Sequence, residues 1–313
     1  MFDVSHMTVT DVGGNDATDF LRYLLANDVA RLTQAGMALY TGMLNQSGGV
    51  IDDLIVYRMH QGYRLVTNCA TRHKVLSWIK VVGNDYDISI RVRTNLSIIA
   101  VHGPDSIPTV CAALPESFAT AIYALQNFRS VELGDWLIAR TGYTGEKGVE
   151  LILPHADAEL IWQSLAAAGV SPVGLAARDT LRLEAGMNLY GKDMDESVSP
   201  LSANMARTIA WESEDRNFVG RMALIQLMAE GVGEELVGIA YHGRGVMRDG
   251  YRVITDAGEG VISSGGFSPT LSHSIALARV PVGSSRCQVL MRGALQPAEL
   301  VKPNFVRFGK RIY

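Results

Sequence analysis

Cysteine is scarce: 313 residues contain three, Cys69, Cys111 and Cys287. They lie far apart and none belongs to a CxxC pair, which argues against a disulfide framework or a zinc ribbon. Reduced thiols in a cytoplasmic compartment are the natural reading. The nucleotide and metal motifs are missing too, with no HExxH, no GxxxxGK[ST], and no GxGxxG at a strand-to-helix junction. The seven histidines are scattered, and His155, followed by Asp157 and Glu159, reads as a solvated helix start rather than a metal site. Positive charge is not in excess: the formal net charge is -4 and the pI about 6.0. With no basic interleaving around Trp78, Trp136, Trp162 and Trp211, a nucleic-acid surface is not expected. No apolar run approaches the length of a membrane span. The first residues lack the charged and apolar regions of a signal peptide and the arginines of a transit peptide.

What is present is an ordinary globular composition on the apolar side, 48% hydrophobic and 19% charged, long enough for two or three domains. Apolar periodicity predicts a strand over 2–12, an amphipathic helix over 16–25, and a hairpin of 37–44 and 50–59. A strand at 63–68, a helix at 71–82 and strands near 88–93 and 96–101 follow. Residues 117–128 read as a helix, 130–153 as strands broken by a Gly-rich turn, and 156–168 and 176–185 as helices. From about residue 235, short β segments alternate with Gly-rich turns, which marks a boundary near 200–235 before an all-β unit.

Three stretches could carry chemistry. LNQSGGVIDDLIVY (44–57) sets two carboxylates inside a strand, although Asp is depleted there. Alternation puts Ile51, Asp53, Ile55 and Tyr57 on one face and Val50, Asp52, Leu54 and Val56 on the other. Two readings stand: both acids satisfy backbone donors beside the turn, or one faces an apolar pocket as acid, base or electrostatic anchor. In RTGYTGEKGVEL (140–151) the turn presents Tyr143, and Glu150 lies in an apolar strand, exposed, paired or functional. In GLAARDTLRLEAGMNLYG (174–191), Arg178 and Arg182 share a helical face beside Asp179 and Glu184. That pattern fits a salt-bridge cluster, or an Arg178 that grips a carboxylate or a polar heterocycle.

Together with MFDVSHM (1–7) and ISSGGFSPTLSHSIALARV (262–280), these stretches resemble, in order and spacing, the aminomethyltransferase of the glycine cleavage system, the T-protein. The resemblance runs from residue 1 to about residue 307. It implies an α+β, three-domain fold around a central folate channel with a C-terminal β-barrel. Residues 1–200 would form the folate-binding region, with 1–10 plus 93–200 as first domain and 11–92 as an inserted second. The barrel would span 201–313. The implied reaction moves the methylene of an aminomethyl group, carried on the lipoyl arm of H-protein, to tetrahydrofolate and releases ammonia, with no metal. That is a cytoplasmic step of glycine catabolism and one-carbon metabolism. Asp53 matches the family's catalytic carboxylate, and Asp52 is then structural. Glu150 matches a pterin-binding position, Arg178 a folate-contacting arginine, and Tyr143 a ligand-side turn. Met7, Tyr40, Tyr57 and Asn68 match pocket-lining positions.

The family usually carries a further N-terminal segment of ~40 residues before the match to MFDVSHM. A truncated, inactive T-protein is therefore one alternative. A non-enzymatic folate-binding relative is another, but such proteins carry a KGCYxGQE-type segment where this chain has NLYGKDMD (188–195). A folate domain like those fused to sarcosine or dimethylglycine oxidases would lack its dinucleotide-binding half.

Overall fold

The computed structural model describes residues 1–212 and 215–313. The chain opens with strands β1 (Phe2–Asp3) and β2 (Thr8–Gly13), helix α1 (Ala17–Leu24), strands β3 (Ala38–Leu44), β4 (Val50–Arg58) and β5 (Tyr63–Thr67), and helix α2 (Arg72–Val82). Next come β6 (Ser89–Val92), β7 (Leu96–His102), α3 (Ser106–Ala113), α4 (Glu116–Ala124), β8 (Ser130–Leu133), β9 (Trp136–Ala139), β10 (Gly148–Pro154), α5 (His155–Ala167) and α6 (Leu175–Glu184). After α7 (Arg221–Glu230), strands β11 (Glu234–Tyr241), β12 (Arg252–Thr255), β13 (Gly258–Ser268), β14 (His273–Pro281), β15 (Cys287–Met291) and β16 (Ala294–Val301) close into a six-stranded barrel. The fold is α+β.

Two five-stranded sheets precede the barrel, ordered β1-β7-β10-β9-β8 and β3-β4-β5-β2-β6. Strand alternation decides what each face meets. On β7 and β10, Ile99, Val101, Val149, Leu151 and Leu153 pack under α3, α4 and α5 through Val110, Leu114, Ile122 and Leu165. The intervening Ile98, Ala100 and Ile152 face the second sheet, where Val9, Tyr57 and Met59 meet them. In the second sheet, Leu54, Val56 and Leu65 turn outward to Phe20, Leu21 and Leu24 of α1 and Val75 and Ile79 of α2. Glu150 and Asp53 fall in the inner rows, so the alternation that builds both cores also aims these acids into the space between the sheets.

The hairpin turn between β3 and β4 needs its glycines. Gly48 sits at φ +82, and a Cβ on Gly49 would stand 1.8 Å from the Glu196 carbonyl. The Asn45 side chain closes the loop by accepting from Gly49 N at 2.9 Å.

Four expectations are corrected. Residues 2–12 are two strands in different sheets, because a turn closed by the Met7 N–H to Val4 C=O bond (3.1 Å) redirects the chain. Ile51 packs with Leu54 and Val56 rather than beside Asp53, since a β-bulge leaves it unpaired between Leu44↔Val50 and Met43↔Asp52. The helix expected over 117–128 ends at Ala124, and Phe128 takes a left-handed φ of 56. Helices α3 and α7, not anticipated, occupy stretches whose apolar residues follow no clear stripe.

A buried cation is one tie between the barrel and the rest, beside the buried Glu184, which accepts from Ser268 and Thr270. Arg182, 1% exposed, donates to Asp193 Oδ2 (2.8 Å), Asp179 (2.8 Å), the Met187 carbonyl (3.1 Å) and Ser264 Oγ of the barrel (2.9 Å). Asp193, fully buried, also accepts from Ser263 (2.6 Å). Removing one partner of such a pair strands the other charge in low dielectric, at a cost of about 3–5 kcal/mol. Asp193→Ala should therefore lower the denaturant midpoint sharply, followed by tryptophan fluorescence. An unchanged midpoint would show that the pair does not hold the barrel in place.

Candidate active site

Between the two sheets lies a cavity of about 510 Å³, within the range of small-molecule sites. Its wall is mostly apolar, with Val4, Ile55, Val66, Ile98 and Ile152 among the lining. All eight residues singled out in the sequence, Met7, Tyr40, Asp53, Tyr57, Asn68, Tyr143, Glu150 and Arg178, border it. They come from the β1–β2 turn, β3, β4, the end of β5, the 140–147 loop, β10 and α6. No barrel residue lines it. The barrel acts from behind, holding the segment from Gly186 to Tyr190 through Arg182 and Asp193.

The two aspartates have opposite surroundings. Asp52 points toward the start of α2 and is fully buried. It accepts from the Asn68 backbone N–H (3.1 Å), Asn68 Nδ2 (2.7 Å) and Thr71 Oγ1 (2.8 Å), beside a helix terminus that favours negative charge. Asp53 is half-buried on the cavity wall, where Tyr40 OH donates to Oδ2 (2.8 Å) and Asn68 Nδ2 to Oδ1 (2.9 Å). Burial, and next the neighbouring Asp52 charge, push the Asp53 carboxyl up to about 7, against the pull of these two donors. Burial raises Asp52 as well, opposed by Asn68 and Thr71. Asp53 is thus a carboxyl that gains and loses a proton near neutral pH while facing a mostly apolar cavity.

Across the cavity, Glu150 accepts from Thr141 Oγ1, whose hydroxyl is bonded in turn to the buried Tyr57 OH at 2.9 Å. With the Thr141 proton committed to Glu150, Tyr57 is the donor in that second bond. This chain orients the Glu150 carboxylate from behind. Arg178 stacks its guanidinium 4.5 Å from the Tyr143 ring centroid, and the Tyr143 hydroxyl donates to the Asn188 carbonyl. Arg178 makes no ion pair among the described residues, and its buried Nε has no protein partner. Burial lowers its proton affinity, with Glu150 opposing the shift. The salt-bridge reading of the 178–182 pair therefore applies to Arg182 alone.

Sequence reasoning passed over His6, Phe128, Leu189, Tyr190 and Asn204, which also line the cavity. Tyr190 stood inside a stretch already singled out. Its hydroxyl donates to the Val50 carbonyl (3.1 Å) and accepts from Lys74 Nζ (2.9 Å), joining the rim to the strand that carries Asp53. Phe128 carried no signal, because its placement depends on a left-handed backbone in a loop.

The chain matches the family model of the GCVT N-terminal domain over residues 1–213 and that of the glycine cleavage T-protein C-terminal barrel domain over 235–307. It is 53% identical over 315 residues to a curated aminomethyltransferase of Chromobacterium violaceum, covering all of this chain and 87% of that protein. The crystal structure of glycine cleavage system aminomethyltransferase T from Bartonella henselae superposes with a TM-score of 0.90 at 30% identity, over all of this chain and 87% of that one. On this evidence the chain belongs to the glycine cleavage T-protein family of aminomethyltransferases.

Proposed function

We propose that the cavity binds tetrahydrofolate and that the enzyme transfers to it the methylene of an aminomethyl group presented on the lipoyl arm of H-protein, releasing ammonia and the reduced lipoyl arm as its thiol. The observation that carries the reading is a carboxyl of near-neutral proton affinity on the wall of an apolar cavity, opposite an oriented carboxylate and an arginine with a free donor. The polar groups suit a flat heterocycle with a carboxylate tail. Glu150 can accept from ring N–H groups, Arg178 has donors to spare, and the apolar walls can cover the faces of the ring. When bound, the folate supplies the secondary amine that takes up the carbon.

The chain's own part is proton management and charge. Protonated Asp53 can deliver a proton to the departing amino group. Once ionised, the carboxylate faces the cationic carbon from a mostly apolar wall. Tyr40 and Asn68 hold both of its oxygens, so the group reacts from one orientation. Glu150, backed by Thr141 and Tyr57, serves as an acceptor that fixes the ring, and Tyr143 holds Arg178 by its face. No metal is asked for in this scheme, and the setting is cytoplasmic glycine catabolism. The three-domain division, with residues 11–92 inserted between 1–10 and 93–200, belongs to the same reading.

Asp53→Asn, close in size and unable to exchange the proton, should lower ammonia release from aminomethylated H-protein by at least about 100-fold with the fold intact. In the wild-type enzyme kcat/KM should fall as pH rises through an apparent pKa near 7, the protonated carboxyl being the active form of the free enzyme, and this limb should vanish in the variant. Near-normal turnover in Asp53→Asn would remove Asp53 from the chemistry. Arg178→Ala should weaken tetrahydrofolate binding about tenfold or more, measured by calorimetry, as expected for loss of a charge-assisted contact. Unchanged affinity would confine Arg178 to packing against Tyr143.

A further inference from the structure

The side-chain amide of Asn68 is shared between two carboxylates. Its Nδ2 lies 2.7 Å from Asp52 Oδ1 and 2.9 Å from Asp53 Oδ1, with the Asp53 carbonyl oxygen at 3.2 Å. One NH2 group with two hydrogens thus serves three acceptors, and its orientation is fixed from the Asp52 side. The Asn68 backbone N–H also binds Asp52, at 3.1 Å, and Thr71 at the start of α2 clamps both Asp52 (2.8 Å) and the Asn68 carbonyl (3.1 Å). A purely structural acid beside a helix start would need no link to the cavity. This one is built into the only side chain bonded to Asp53 Oδ1 among the described residues.

We propose that Asp52 is a positioning residue of the reaction: acting through the shared Asn68 amide and its own fixed charge, it sets the orientation of Asp53 and keeps that carboxyl ready to take up a proton. The proposal rests on the catalytic role given above to Asp53. Asp53 is faced by Tyr40 from β3, Asn68 from the end of β5 and Tyr143 from the 140–147 loop, besides Asp52 on its own strand. Tyr190 faces Asp52, and its hydroxyl is bonded to Lys74. Arg178 and Arg182 bear on Tyr143 from the far side. Burial holds the phenols of Tyr40 and Tyr143 well above their ordinary range, so they stay neutral, which leaves Asp52 as the neighbouring acid whose charge acts on Asp53. Burial raises the Asp53 carboxyl first and the Asp52 charge second, which is the direction the proposal requires.

The test compares wild type, Asp52→Asn, Asp52→Glu and Asp53→Asn. Two readouts are used: the pH profile of kcat/KM, and an infrared titration of the carboxyl stretch in the resting enzyme, which needs no turnover. With Asp52→Asn the pKa of the Asp53 carboxyl, and the activity limb that follows it, should fall by about one unit or more. Asp52→Glu, which restores the charge, should bring both back toward wild type. Asp52 ionises while Asp53 is still protonated, so Asp53→Asn should leave the Asp52 titration in place and serves to assign its band. Asp52→Ser, a second neutral replacement, decides the matter if Asp52→Asn does not fold. A folded neutral variant in which the Asp53 titration does not move would overturn the proposal. A shifted infrared titration with no pH-dependent activity limb would leave the coupling standing and overturn instead the catalytic role of Asp53, and with it the positioning role of Asp52.

Discussion

Two adjacent carboxylates on one strand can be buried only if their charges are handled differently, and the architecture follows from that constraint. An unpaired buried carboxylate is expensive, and two side by side are more so. Strand alternation removes part of the conflict by turning Asp52 toward α2 and Asp53 toward the space between the sheets. Hydrogen bonds remove the rest: Asn68 and Thr71 satisfy Asp52, while Asn68 and Tyr40 hold Asp53. The residual tension is not dissipated. It remains as the raised proton affinity of the group that faces the cavity.

The scaffold holds this arrangement in place. The sheet of β1, β7, β8, β9 and β10 supplies the opposite wall and Glu150, and its inner row of Ile98, Ala100 and Ile152 packs where the two sheets meet. Helix α6 brings Arg178 to the cavity and, one turn later, buries Arg182 against Asp193 and the barrel. Two arginines four residues apart thus take unlike roles, one with donors free at the cavity and one with donors spent on structure. The barrel shapes the site without touching the lining, by fixing the backbone from Met187 to Tyr190.

Much of this was legible in the sequence because it depends on local periodicity. The separation of Asp52 from Asp53 and the Gly-rich hairpin turn follow from period-two alternation and turn chemistry, while alternation alone left Glu150 exposed, paired or functional and only the family resemblance pointed it at the ligand. What was not legible depends on register or on distant partners. A bulge moves Ile51 to the other face without changing a letter of the pattern. The turn that splits residues 2–12 is held by pairing with two different sheets. The Asn68 amide bridges the carboxylates across sixteen and fifteen residues of chain, which no spacing rule anticipates. Arg178 and Arg182 look alike on a helical wheel, and only the position of Asp193 tells them apart.

The most direct test of the account is single-turnover ammonia release. The folded chain is mixed with aminomethylated H-protein, with and without tetrahydrofolate, and free ammonia is measured against time. The account predicts one ammonia per aminomethyl group, rapid only when tetrahydrofolate is present. Folded protein that binds tetrahydrofolate yet releases no ammonia above the uncatalysed rate would contradict it.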